Sequence, residues 1–147
     1  MSFTDVTLHI APATLADVSL ILSLIRELAD YERMSDEVMV TETDLQRSLF
    51  SATPFAEAVI ARLDGTPVGF ALFFHSFSTF VGRRGLYLED LFVRPAYRGR
   101  GIGRRLLAHL AKLAVDGHGE AGNRLPFSQG EIKAPLEHAI EIVVEIH

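Results

Sequence analysis

The chain has 147 residues, 48% of them apolar, which suits one domain with a sizeable core, and its net charge is −5. It contains no cysteine, which excludes disulfides, thiolate metal sites and a cysteine nucleophile and fits a reducing, cytoplasmic setting. No apolar run is long enough for a membrane span, MSFTDVTLHI lacks the pattern of a secretory leader, and the acidic balance disfavours nucleic acid as a partner.

In chain order, VTLHI (6–10) reads as a short strand. Thr14 and Asp17 have capping-box spacing, and behind them Val18, Ile21, Leu22, Ile25, Leu28 and Ala29 form the apolar stripe of a helix. Thr41 with Asp44 has the same spacing and opens a short helix carrying Leu45 and Leu49. EAVIARL (57–63), the turn Asp64-Gly65 and PVGFALFFHS (67–76) predict an antiparallel hairpin. GLYLEDLFV (85–93) is a further strand. Strict alternation along it would set Glu89 on one face with Tyr87 and Leu91, opposite Leu88 and Asp90. Pro95 ends this strand, and Ile102, Leu106, Leu107, Leu110, Leu113 and Ala114 mark the next helix. The order β-α-α-β-β-β-α predicts a mixed α/β domain, its strands flanked by helices.

The basic residues concentrate between Arg83 and Arg105, and VRPAYRGRGIGRRLL (93–107) holds five arginines and three glycines at a helix start. A strand, a glycine-rich turn and a helix N-terminus together suit phosphate. The first helical turn has unpaired N–H groups at the positive end of the dipole. Glycines 99, 101 and 103 allow close backbone approach, and Arg98, Arg100, Arg104 and Arg105 add attraction. A solvated basic turn without a ligand is the alternative that spacing alone leaves open. Gly99, Gly101 and Gly103 do not make the dinucleotide G-x-G-x-x-G, and no G-x-x-x-x-G-K-[ST] occurs.

RGRGIG (98–103), after a strand reading YLEDLFV, resembles the arginine-x-x-glycine-x-glycine signature of the GNAT acyl-CoA N-acyltransferases. The likeness is closer to the diamine (spermidine/spermine) acetyltransferase branch. LIRELADYERM (24–34), VTETDL (40–45), the PF at 54–55, GFALFF (69–74) and LYLEDLFVRPAYRGRGIG (86–103) are similar to that branch and run in the same order. The resemblance covers about residues 8–116 of a single 1–147 domain and leaves 117–147 as a divergent tail. It implies a GNAT-type, mainly antiparallel central sheet flanked by helices, with an atypical C-terminal part. It also implies acetyl transfer from acetyl-CoA, with no metal, to a primary amine of a small cationic polyamine-like substrate. Related enzymes are dimers, so a homodimer is expected.

By that resemblance, the backbone of Leu91, Phe92 and Val93 pairs with the pantetheine arm. The pyrophosphate lies on Arg98, Gly99, Arg100, Gly101, Ile102, Gly103 and Arg104. Glu89 matches the family's acid in YLED, which binds the amine and takes its proton through water. A backbone N–H of Phe92 or Val93 meets the oxyanion. Tyr31 and Glu32 match positions that contact the polyamine. Glu27, Asp30 and Asp36, by contrast, read as the wet side of an amphipathic helix. The histidines at 9, 75, 109, 118, 138 and 147 have no ligand spacing, so no metal site is expected.

The resemblance stops after Val115. A family member would continue with a parallel strand and a tryptophan-asparagine turn, then a tyrosine that protonates the departing thiolate. Here the tail ends in AIEIVVEIH (139–147), whose alternation predicts a strand. This strand is expected either to take the missing sheet position or to be covered at an exposed edge by a partner chain. Two alternatives to amine acetylation follow: a weak or inactive acyl-CoA-binding module, and an acetyltransferase for lysine, a lysine analogue or a protein.

Overall fold

The computed structural model describes residues 7–79 and 82–118. The elements are β1 (Leu8–Pro12), α1 (Val18–Tyr31), α2 (Glu42–Phe50), β2 (Glu57–Leu63), β3 (Thr66–Ser78), β4 (Arg83–Val93) and α3 (Ile102–His118). Their order is the one predicted. Short 3-10 turns at Leu15–Asp17, Ser35–Glu37 and Pro95–Tyr97 join them. The strands form one four-stranded sheet in the order β1-β2-β3-β4, every neighbouring pair antiparallel.

Both capping boxes form. The Thr41 N–H donates to the Asp44 carboxylate at 2.9 Å, and the Asp44 N–H donates to Thr41 Oγ1 at 3.1 Å, satisfying two otherwise orphaned amides of α2. The Thr14 N–H donates to the Asp17 carboxylate at 2.8 Å, and the 3-10 turn it opens leads into α1. β1 begins two residues later than the 6–10 pattern suggests, because pairing with β2 starts at Leu8↔Leu63. The β2–β3 hairpin turns through Asp64 (φ 49°) and Gly65 (φ 84°), the left-handed pair that matches strand twist.

The sheet buries both faces. Val59, Ala71, Phe73, Leu86, Leu88, Leu91 and Val93 pack with Leu106, Leu107 and Leu110 of α3. Ile60, Phe70 and Phe92 pack on the other side with Ile21, Leu24, Leu45 and Leu49 of α1 and α2. Val59, Ile60, Phe70, Leu88 and Leu106 are essentially inaccessible to water. At about 1.5–3 kcal/mol for each fully buried large apolar side chain, these two layers dominate the favourable side of folding.

Strict alternation fails in β4, which corrects the expected facing of Glu89. Leu72 pairs with Asp90 and Phe73 with Leu88, so Glu89 is an extra residue in a bulge. Leu86 and Leu88 face α3 before it, and so do Leu91 and Val93 after it. Tyr87, stacked on Phe74 at 4.6 Å, therefore lies on the α1 side, not with Leu91. Asp90 shares that α1 side with Phe92. The strand pair is also unusually close just beyond the bulge. A Cβ placed on Gly69 would lie 2.6 Å from the Phe92 carbonyl oxygen, so only glycine fits there.

Glu27 is not simply on the wet side of α1. Its carboxylate takes both forks of Arg94, Nε to Oε1 at 3.0 Å and a terminal nitrogen to Oε2 at 2.8 Å, while Arg94 also donates to the Pro67 carbonyl at 2.9 Å. This bidentate pair pins α1 to the end of β4. Asp30 and Asp36 remain exposed, as expected. The tail strand at 139–147 lies outside the described residues, as do both arrangements expected for it.

Candidate active site

Two cavities meet beside the end of β4. The larger, about 700 Å³, runs from Leu91, Phe92 and Val93 along Arg98, Gly99, Gly101, Ile102, Gly103 and Arg104. The smaller, about 410 Å³, lies under the end of α1 and the loop after it, with Glu89 and Asp90 on its wall. Leu28 and Glu32 line both, so they form the partition.

The larger cavity is built mainly from backbone. Val93 ends β4, Pro95–Tyr97 makes a 3-10 turn, and α3 starts at Ile102. Gly99 (φ 80°) and Gly101 (φ 81°) occupy left-handed conformations, and open space surrounds the place where a Cβ would stand. The first helical bond runs from the Arg105 N–H to the Gly101 carbonyl, so the amides before it remain available to an anion. Among the described residues β4 is also an end strand of the sheet, its outer edge open to an extended ligand. A cradle of this form fits a pyrophosphate joined to an amide-bearing arm.

Of the residues expected to hold the acyl donor, all but Arg100 line this cavity. The Arg100 guanidinium lies over the Tyr97 ring at 5.4 Å instead. Arg98 folds back, its Nε donating to the Val93 carbonyl at 2.8 Å. Tyr97 also belongs to the wall, as does Leu28 of the apolar stripe of α1, and no sequence motif marks either for this role.

The smaller cavity is built from side chains. Glu32, Glu37, Glu89 and Asp90 supply carboxylates, and Ile25, Leu28, Met34 and Met39 supply apolar wall. None of its lining residues is basic. Glu89 is exposed and makes no ion pair among the described residues. Burial, and then the negative charges of Glu89 and Glu32, push the Asp90 carboxyl up to about 6. The bulge thus turns two consecutive carboxylates toward one cavity. A shift of apolar parity, from Leu86 and Leu88 to Leu91 and Val93, is its mark in the sequence. Among the described residues no cluster of His, Asp or Glu could hold a metal, and no helix is long and apolar enough to cross a membrane.

The sequence model of the acetyltransferase (GNAT) family matches residues 23–128. A thialysine N-epsilon-acetyltransferase of Bos taurus is 42% identical over a 108-position alignment that covers 68% of this chain and 63% of that protein. The chain thus spans less than two thirds of that relative's length. The spermidine/spermine N(1)-acetyltransferase-like protein 1 of Homo sapiens is 36% identical over 73% of this chain and 16% of its own. Among solved structures, a ribosomal-protein-alanine N-acetyltransferase from Brucella melitensis superposes with a TM-score of 0.61 at 26% identity, covering 76% of this chain and 74% of that one.

Proposed function

This chain belongs to the acetyltransferase (GNAT) family, and from that premise we propose that it moves an acetyl group from acetyl-CoA directly to a primary amine of a small, polyamine-like cation. The observation that carries this reading is the junction, across Leu28 and Glu32, of a phosphate-fitting backbone cradle with a cavity whose charged lining residues are all carboxylates.

Acetyl-CoA, when bound, supplies the thioester carbonyl and a thiolate that leaves as the amide forms. The chain's own residues must do the rest. An alkylammonium with pKa near 10.4 has no lone pair to attack with, so its proton has to be removed. Glu89, exposed and without a cationic partner among the described residues, accepts that proton through water. Glu32, Glu37 and Asp90 concentrate the cation and hold a second ammonium group. The Val93 N–H, which the β3–β4 register leaves on the outer edge of β4 at the donor cavity, donates to the developing oxyanion. A thiol pKa near 8.5 makes the thiolate a fair leaving group at neutral pH, which suits a chain whose three tyrosines all precede residue 98.

A second reading comes from the bovine relative, which is named for thialysine, an amino acid. A substrate carboxylate would meet only like charge in the smaller cavity, which favours diamines and polyamines over amino acids. The reading also includes a homodimer, as the resemblance implies, and light scattering of the purified chain tests it. The deciding experiment follows CoA-thiol release from acetyl-CoA with a thiol reagent, over diamines, polyamines, lysine and thialysine. With no cysteine, the protein is silent in this assay. Release with diamines, abolished by Glu89→Gln, is expected. Release with thialysine alone would replace the substrate class. Tight CoA binding without release would leave an acyl-CoA-binding module.

A further inference from the structure

Tyr31 ends α1 with its side chain outside the core, 60% exposed, so burial does not explain an aromatic there. Its ring does have one close partner. The Arg98 guanidinium carbon stands 4.1 Å from the ring centroid, and the Phe92 centroid is 5.5 Å away. Nε of the same arginine donates to the Val93 carbonyl at 2.8 Å. One hydrogen bond and two aromatic faces thus fix the guanidinium plane. Among the described residues no hydrogen bond uses its two terminal nitrogens. Tyr31, Phe92, Val93 and Arg98 all line the donor cavity, whereas Tyr31 does not line the acid one.

We propose that Tyr31 is a donor-side positioning residue, which acts through Arg98 and not through the amine. An unrestrained arginine would lose rotamer freedom each time it met a phosphate. Held against the Tyr31 face, this one has lost it beforehand and keeps its two terminal nitrogens unspent at the wall of the cradle. The contact also ties the last turn of α1 to the loop 98–104, which no backbone hydrogen bond does among the described residues. This inference rests on the acyl-CoA reading above.

The test is calorimetric binding of CoA to wild type, Tyr31→Leu, Tyr31→Phe, Arg98→Ala and the Tyr31→Leu/Arg98→Ala double variant, each first shown to melt cooperatively. Tyr31→Leu should weaken CoA about two- to fivefold, the fold-change corresponding to an exposed cation–π contact. Tyr31→Phe keeps the ring face and should restore wild-type affinity. The double variant should bind no more weakly than Arg98→Ala alone, and in turnover Tyr31→Leu should raise the KM for acetyl-CoA more than that for the amine. Equal loss in Phe and Leu, an undiminished effect of Tyr31→Leu on the Arg98→Ala background, or a shift confined to the amine KM would each overturn the proposal. Wild type that binds no CoA would overturn the donor reading itself, an outcome visible before any variant is compared.

Discussion

The two neighbouring cavities, proposed above as donor and acceptor sides, are built of different materials. The donor side is made of backbone: glycines in left-handed conformations, helix amides and a strand edge. The acceptor side is made of carboxylates, and its position depends on one extra residue in β4. A backbone cradle tolerates change in its side chains but not in its φ angles. A side-chain cavity behaves the other way, since the same frame could hold a different set of charges. The difference predicts that substitutions at 99 and 101 act on the donor alone and those at 89 and 90 on the amine alone.

The hardest test of this separation is Glu89→Gln. It should lower kcat by about 10²- to 10⁴-fold, as loss of a general base does, while the calorimetric Kd for CoA stays put. A matching loss of CoA affinity would break the comparison. Next in size is Gly101→Ala. Its φ of 81° costs a side chain about 1–2 kcal/mol, so CoA should bind about five- to thirtyfold more weakly, with the amine KM little changed.

Asp90→Asn sharpens the acid side through pH. The folded carboxyl titrates at about 6 against an ordinary 3.8, so the folded state keeps a proton that the unfolded chain has already released. Stability therefore falls as pH rises between these values, and the cost is complete above about 6. Asn removes that cost. The variant should melt higher than wild type in mildly alkaline buffer, with the gap closing as pH falls toward 4. It should also bind a diamine less tightly, because one attracting charge is gone. The smallest effect belongs to Glu27→Gln. A partly exposed pair of this kind contributes about 1 kcal/mol or less, read as a small drop in the urea midpoint.

The donor half was the more legible in sequence for the same reason. Glycines and prolines act through local dihedrals, so RGRGIG after a strand carries its geometry in six consecutive residues. The capping boxes and the Asp64-Gly65 turn were readable on the same ground, since each is settled within four residues. The acceptor half was legible only in part, through Glu32 and Glu89, and its geometry was not. Strict alternation through LYLEDLFV sets Asp90 opposite Glu89, although the change of apolar parity between Leu88 and Leu91 signals an extra residue. The Glu27–Arg94 pair joins residues 67 apart and has no local signature, so a carboxylate that clamps a helix looked like one that merely wets it.

The Asp64-Gly65 turn has a consequence for the order in which the sheet assembles. β2, β3 and β4 are successive in the chain and joined by short turns, so their pairings close small loops and can form within microseconds. β1 pairs with a strand about fifty residues downstream, a costlier closure. The Thr7 N–H donates to Asp64 Oδ1 at 3.0 Å and the Asp64 N–H returns a bond to the Thr7 carbonyl at 3.0 Å. The reverse turn thus doubles as a register stop for β1, and Asp64→Ala should loosen the β1–β2 pairing, read as faster amide exchange along β1.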